Sequence, residues 1–564
     1  MKVLIVGGVA GGASAAARLR RLNENAEIII FERTGFISYA NCGLPYYVGG
    51  TIQSDSKLTL QSPSSFKSRF EIDIRVRNEV VSIDRVAKKV LVRRLDDGSE
   101  YEESYDKLIL SPGAKPISPK LSAIGDRRVM MLRTVEDALS MRSFVTENKP
   151  RTAVIAGGGY IGLEVAENLV DAGVQVTIIQ RPNQVMAPLD QEMAADLQNH
   201  IRSKGVTLEL GASLEDIRAD DGLEVVLADG RILKADMAVV ALGVSPDASL
   251  ASSAGLETGL KGSIKVDSHM LTSDPDIYAV GDAVQVVNSV TGEDALIALA
   301  GPANRQGRIA ADNICGIPSE YIGSQGSSVI KVFDMTVGTT GLNEKSAVKS
   351  GISYDKVYLF SASHATYYPG ARNMSIKVLF SPDDGKILGA QIVGYEGVDK
   401  RIDVLATAIR AGMTSDDLEE LDLAYAPPYS SAKDPVNMAG FVIGNVRNGR
   451  VRQFFWNELD SKIADPGVTV VDLRTDAEYA NAHVDGPLHI PLDDLRSRMG
   501  EIDRSKPVYL FCHSGLRSYI GYRILSQCGF DCYNLAGGFR LYSSVVQDRC
   551  IGKPDDLPCG ISRS

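Results

Sequence analysis

The sequence predicts an α/β protein with parallel sheets, divided into several domains. Three observations carry that reading. A short apolar run, a glycine turn and a helical stretch follow one another twice, over Lys2–Leu22 and Thr152–Leu169. Over residues 321–446 the pattern changes, and strand-like runs precede a helical stretch. A further strand–turn–helix unit begins at Val468. Strands that alternate with helices pair in parallel, because each return to the sheet needs a crossover.

Length and composition agree. At roughly 150 residues per domain, 564 residues make three or four domains. Apolar residues are 44% and charged residues 23%, the balance of a soluble globular chain, which excludes disordered and collagen-like classes. The formal net charge of −11, with no basic block, argues against nucleic acid or an anionic membrane as partner. No apolar run approaches the ~18 residues of a membrane span, and Val3–Val6 is too short for a signal peptide. Seven scattered cysteines, an odd count, fit a reducing cytoplasmic setting rather than a disulfide scaffold. Cys528, Cys532, Cys550 and Cys559 lack four-ligand zinc spacing, so no metal is expected.

In order, Lys2–Val6 reads as a strand, Gly7 to Gly12 as the turn and Ala13–Leu22 as a helix. Glu27–Phe31 is the next strand and ends at Glu32. Glycines let the backbone approach a pyrophosphate at the positive end of the helix, and an acid some 20 residues on binds a ribose hydroxyl. Val9 stands where the middle glycine of the motif would be. The second unit, Gly157 to Gly162, is a full match, and its strand Val174–Ile179 ends at Gln180-Arg181 with no acid. An amide and a cation admit a 2′-phosphate, so NADPH and NADH both stay open. The chain thus carries two Rossmann-like dinucleotide-binding domains, then an α+β domain with strands at Ser328–Phe333, Lys356–Phe360 and Ser375–Phe380 and a helix at Asp399–Ala411.

The segment Thr272 to Ala283, ending in Val280-Gly281-Asp282-Ala283, resembles the second FAD motif of the flavoprotein disulfide reductases. Ser111-Pro112-Gly113-Ala114 resembles that family's border of the nicotinamide-binding insert. The resemblance runs from residue 1 to about 445. It implies an FAD-binding domain at 1–115 and 246–320, an NAD(P)H-binding domain at 116–245 and a dimerisation domain at 321–446. FAD would be held by Gly7, Gly8, Ala10, Gly11, Glu32, Arg33, Val80, Ser111, Gly113, Arg133, Asp282 and Ala300. NAD(P)H would be held by Gly157, Gly159, Tyr160, Ile161, Gly162, Glu164, Gln180, Arg181 and Gly243.

Ser38-Tyr39-Ala40-Asn41-Cys42-Gly43-Leu44-Pro45 holds one cysteine where the classical members hold two. A lone cysteine beside a flavin makes a mixed disulfide, a persulfide or a sulfenic acid. The pattern resembles the single-cysteine branch: coenzyme A disulfide reductases, persulfide reductases and NADH oxidases or peroxidases. Peroxidase-like relatives carry a histidine in the first glycine turn, where this chain has Ala10. The resemblance implies coenzyme A, as cofactor or substrate, on Arg18 and Arg21, with Ser38, Asn41, Gln61, Lys67, Asn304 and Arg308 as further contacts. It also implies a homodimer in which Tyr367 and Tyr425 donate protons to a leaving thiolate.

Cys512-His513-Ser514-Gly515-Leu516-Arg517-Ser518 follows the strand Val508–Phe511 and opens the helix Leu516–Gln527. Backbone amides of such a loop make an anion nest, to which the helix dipole and Arg517 add. With Asp472-x-Arg474, His483-x-x-Gly486 and Asn534-Leu535-Ala536-Gly537-Gly538, the loop resembles a rhodanese domain, an α/β fold over 466–548. Residues 447–465 read as a linker and 549–564 as a tail.

The implied activity is reduction of coenzyme A persulfide, polysulfide or coenzyme A disulfide at Cys42, with Cys512 handling sulfane sulfur. A thiol-balance coenzyme A disulfide reductase, an NADH oxidase or peroxidase, and a low-turnover redox sensor or sulfur carrier are the alternatives.

Overall fold

The computed structural model describes residues 1–220 and 222–550 together with the backbone of Ile561–Ser562. The chain forms two compact units, residues 1–185 with 205–326 and residues 186–204 with 327–564. Among the described residues, no helix is long and apolar enough to cross a membrane.

The first unit holds two five-stranded parallel sheets. One runs Ile277–Ala279, Lys107–Leu110, Lys2–Val6, Glu27–Glu32, Asp73–Val76. The other runs Thr207–Leu210, Gln175–Gln180, Thr152–Ala156, Met237–Val240, Val129–Met130. Their strands are near-continuous apolar runs because helices cover both faces; Leu4, Ile5, Ile30 and Ile109 are fully buried. The helix after each glycine turn starts at the turn itself, at Ala10 and at Tyr160. The first therefore begins three residues earlier than its alanine-rich stretch suggests, because a helix's first turn tolerates glycine. Ala114–Pro116 pairs antiparallel with Val244–Pro246, a two-stranded ribbon at the expected entry and exit of the insert.

The second unit holds an antiparallel five-stranded sheet, Ser328–Val332, Met335–Gly341, Ile387–Gly394, Asn373–Phe380, Asp355–Ala362, packed against the helix Val398–Ala411. It also holds a parallel sheet in the order Gln453–Phe454, Cys532–Leu535, Val508–Phe511, Thr469–Asp472, Leu488–His489. Two apolar clusters sandwich this sheet, one around Leu473, Leu510 and Cys512 and one around Phe454, Phe511 and Phe539.

Two of the expected spans carry structure that the sequence did not show. Residues 447–465 are not a bare linker: Gln453–Phe454 is an edge strand of the C-terminal sheet, and Phe454 and Leu459 are core residues. A two-residue strand shows no periodicity, which is why the sequence hid it. Residues 186–204 lie inside the expected NAD(P)H-binding span 116–245 and group with the second compact unit. Polar side chains of the helix Gln191–Ser203 explain this: Asp196 accepts Ser375 Oγ at 2.5 Å and Ser544 Oγ at 2.6 Å. Most of the expected tail, with Cys559, lies outside the described residues; the backbone of Ile561–Ser562 pairs with His483–Val484.

Candidate active site

Both glycine turns form close cradles. A Cβ on Gly7 would lie 2.1 Å from Ser111 O, and one on Gly157 would lie 2.2 Å from Ala241 O, so only glycine fits. The cradles are built alike. Glu32, buried, accepts Gly8 N–H at 2.9 Å through its carboxylate, and Gln180 Oε1 accepts Gly158 N–H at 2.9 Å. Beside Gln180, Arg181 is exposed.

The first cleft is lined by Gly7, Glu32, Arg33, Val80, Ser111, Gly113 and Arg133, so seven of the expected FAD residues share one cavity. Ala10 and Gly11 start the adjoining helix, and Ala300 starts the helix Ala300–Ile314 that packs on it. Arg33 is paired with Asp247 at 3.1 Å. Asp282 lies 3.8 Å from Arg133; burial pushes its carboxyl up while Arg133 opposes. In the second cradle, Tyr160, Ile161, Gly162 and Glu164 lie on the first turns of the helix Tyr160–Asp171, and Gly243 has φ +101° just before the ribbon. Backbone amides at a helix start, with the Glu32 carboxylate in the first cradle and the Gln180 amide in the second, suit dinucleotides.

Cys42 sits in the short turn Asn41–Gly43 that leads into the helix Leu44–Val48. The turn is held by Ala40 N–H on Leu58 O at 2.8 Å. Cys42 is open to approach, yet its thiol is pushed up, by burial first and then by the charges of Glu164 and Asp282, with Arg133 opposing. Asn41 Oδ1 is buried without a partner, which leaves an acceptor beside the thiol for a ligand's donor. Burial, with Glu167 adding, raises the Glu164 carboxyl to about 7. Ionisation of Glu164 above that pH adds a negative charge that disfavours the Cys42 thiolate. Glu164→Gln is therefore expected to speed iodoacetamide alkylation of Cys42 about threefold at pH 8, with no change at pH 6.

The expected coenzyme A residues fall into two groups. Arg18 and Arg21 lie on the helix Ala10–Leu22, against the helix that carries Asn304 and Arg308, and Ser14 Oγ donates to Asn304 Oδ1 at 2.7 Å. Arg21, Asn304 and Arg308 are exposed, whereas Arg18 is already paired with Asp312 at 2.6 Å. In the second group, Lys67 is paired with Glu71 at 2.5 Å and Gln61 Oε1 accepts Ser65 Oγ. Ser38 holds a left-handed conformation, φ 45°, at the entry to the cysteine turn.

Tyr367 and Tyr425, 58 residues apart, meet hydroxyl to hydroxyl at 2.6 Å and are 74% and 46% exposed. Tyr368 instead stands edge-on to buried His364. The loop that follows Tyr425 hangs from Arg401, 1% exposed, whose guanidinium donates to Asp434, Ser430 Oγ, Tyr429 O and Gly397 O, and Ala365 N–H ties the Tyr367 loop to Ser430 O at 3.0 Å.

Cys512 is fully buried at the top of its strand, and its sulfur accepts Gly515 N–H at 3.2 Å and Ser518 Oγ–H at 3.3 Å. The amides of Phe539 and Arg540, at the start of the helix Gly538–Arg549, donate to the carbonyls of Cys512 and His513. Arg517 is shared between the sulfur of Cys512 and a carboxylate. Both its terminal nitrogens donate to Glu478 at 2.7 Å, and Arg517 and the Thr475 donors hold that carboxyl at about 2 against burial. Sequence reasoning missed Glu478 and gave Ser518 no role of its own. The Thr475-x-x-Glu478 capping box was the available signal for the first.

Residues 1–307 match the family model described as pyridine nucleotide-disulphide oxidoreductase, 327–435 that family's dimerisation domain and 455–544 a rhodanese-like domain. A coenzyme A disulfide reductase of Staphylococcus epidermidis is 35% identical over 441 residues, which are 78% of this chain and 99% of that protein. The structure of reduced Bacillus anthracis CoADR-RHD superposes with TM-score 0.94 at 46% identity, covering 97% of this chain and 98% of that one. An NAD-dependent persulfide reductase from A. fulgidus superposes with TM-score 0.90 at 38% identity, covering 96% and 100%. The chain belongs to the pyridine nucleotide-disulphide oxidoreductase family and carries a rhodanese-like domain at its C-terminal end.

Proposed function

We propose that the protein uses NAD(P)H and FAD to reduce sulfur carried on coenzyme A, as a persulfide, a polysulfide or the disulfide. The observation that supports this most is one chain holding two differently housed cysteines. Cys42 is open and stands beside the dinucleotide cradles, while Cys512 is buried in a nest of donors. The relatives named coenzyme A disulfide reductase and persulfide reductase point the same way. Bound FAD would relay the electron pair of a nicotinamide hydride to sulfur at Cys42. The chain's own residues do the rest. Cys42 attacks the substrate sulfur and holds it as a mixed disulfide or persulfide. Asn41 Oδ1 accepts a donor of the bound thiol. Arg18, Arg21, Asn304 and Arg308 face coenzyme A phosphates across two packed helices. The exposed Tyr367–Tyr425 pair reaches a partner subunit's cysteine in a homodimer and protonates the leaving thiolate. Cys512 accepts and donates sulfane sulfur. The balance is one NAD(P)H, one proton and one coenzyme A persulfide giving NAD(P)⁺, coenzyme A and hydrogen sulfide.

The test is anaerobic NAD(P)H oxidation with sulfide release followed together. Coenzyme A persulfide is expected to turn over at least about tenfold faster than the disulfide, with one sulfide per nicotinamide oxidised. Cys512→Ser is expected to slow sulfide release from polysulfide about tenfold and to spare coenzyme A persulfide. Equal rates with the disulfide would instead assign a thiol-balance role.

A further inference from the structure

The C-terminal ends of three helices, Leu44–Val48, Val135–Asn148 and Tyr160–Asp171, line an open cleft of about 450 Å³ in the first unit. Its apolar lining includes the buried Val48, Pro150 and Val174. Its charged lining has one sign. Arg142, Lys149 and Arg151 contribute to it, and among the described residues no acidic side chain does. Three such cations together stand out on a chain of net charge −11. None of these residues is expected to hold FAD, NAD(P)H or coenzyme A.

Two effects compete for the sign of the cleft. Each helix end carries about half a negative charge, so three full positive charges leave an excess of roughly one to two. The cations also have capacity to spare. Arg142 Nη1 donates to Tyr47 O at 3.0 Å and Ile52 O at 2.8 Å, and its guanidinium lies 4.3 Å from the centre of the Tyr47 ring. That anchors the side chain and leaves Nε and Nη2 without a protein acceptor among the described residues. Lys149 and Arg151 are exposed, and neither side chain makes a hydrogen bond or ion pair among the described residues. Asp236, whose charge meets Arg151, is already held by the amides of Arg151 and Thr152 and does not line the cleft. The amides at the helix ends are spent: Gly49 N–H goes to Pro45 O, Lys149 N–H to Val145 O and Ala172 N–H to Asn168 O. Recognition therefore falls to side chains, and a multiply charged anion satisfies them best. The volume lies within the roughly 300–1,000 Å³ of small-molecule sites.

We propose that this cleft binds a phosphorylated small molecule, its phosphate on Arg142, Lys149 and Arg151 and its apolar body on Val48, Pro150 and Val174. The carbonyls that Arg142 holds belong to the stretch that follows the Cys42 turn. A ligand here bears on the support of that turn and does not compete with a substrate at the sulfur. The site stands independently of the sulfur chemistry proposed above.

The test labels holoenzyme with pyridoxal 5′-phosphate, whose aldehyde forms an imine with a lysine beside its phosphate site. Cyanoborohydride fixes the imine, and peptide mass spectrometry locates it. Lys149 is expected to be labelled at least about fivefold faster than the exposed Lys345 and Lys349. Pyridoxal, which lacks the phosphate, is expected to show no such preference. Inorganic pyrophosphate at millimolar concentration is expected to suppress labelling of Lys149 and to spare the other two. Arg151→Glu is expected to cut the preference about fivefold at unchanged melting temperature and flavin content. Labelling of Lys149 at the rate of Lys345 and Lys349 would overturn the inference. So would an equal preference with pyridoxal, which would trace the effect to the reactivity of the amine rather than to an anion site.

Discussion

Cys42→Ser is expected to abolish NAD(P)H-dependent turnover of coenzyme A persulfide and disulfide, by at least about 10⁴-fold, while flavin stays bound and remains reducible by NAD(P)H. The reason is chemical. A serine hydroxyl forms neither a persulfide nor a mixed disulfide, and among the described residues the turn offers no second cysteine to take over. The hydride step needs only the two cradles, whose close contacts lie at Gly7 and Gly157 and do not involve Cys42. The substitution removes no core packing either, since the residue is exposed and its turn is fixed by backbone bonds at Ala40 and Gly43. Stopped-flow absorbance separates the two halves. Rapid flavin bleaching by NAD(P)H must survive, and its reoxidation by substrate must vanish. Residual turnover above about 1% of wild type would mean that electrons leave by another route.

What the sequence disclosed, and what it hid, follows from the range of the interactions. The glycine cradles were legible because a close backbone approach is encoded locally, in consecutive glycines between a strand and a helix. The loop from Cys512 to Ser518 was legible for the same reason. Family resemblance singled out Tyr367 and Tyr425 but not their contact; the structure brings their hydroxyls together and turns Tyr368 to His364 instead, which no spacing rule could show. Glu478 stayed hidden because its partner Arg517 lies 39 residues on and only a capping box marks it. The edge strand Gln453–Phe454 stayed hidden because two residues carry no period. The helix Gln191–Ser203 was assigned by chain continuity, whereas its polar face decides where it packs.

That polar face also sets the largest expected change in stability. Lys377 is fully buried in the strand Asn373–Phe380, and its ammonium meets Asp190 at 2.7 Å, Glu192 at 2.5 Å and Glu344. Lys356 joins Glu344 at 2.7 Å, and Tyr358 donates to Glu192 at 2.6 Å. Three carboxylates within reach of one another could hold a metal ion, but here a lysine ammonium stands among them. Burial alone would raise the Glu344 carboxyl; Lys377 and Lys356 instead bring it down to about 2. Asp190 is shifted the other way, because burial outweighs the help it gets from Lys377. Lys377→Met keeps the volume and removes the charge, leaving buried carboxylates with one lysine between them. The expected loss is about 3–5 kcal/mol at pH 8, the cost of breaking a buried ion network from one side. The pH dependence carries a distinctive sign. In the wild type, Glu344 contributes stability that is present above its unfolded value and is lost only as the pH falls toward about 2. In Lys377→Met, protonating the stranded carboxylates is favourable, so stability rises as the pH is lowered. Chemical denaturation of holoenzyme at pH 8 and pH 5 should show the gap between the two proteins narrowing at the lower pH. A gap that stays constant would place the cost in packing rather than in charge.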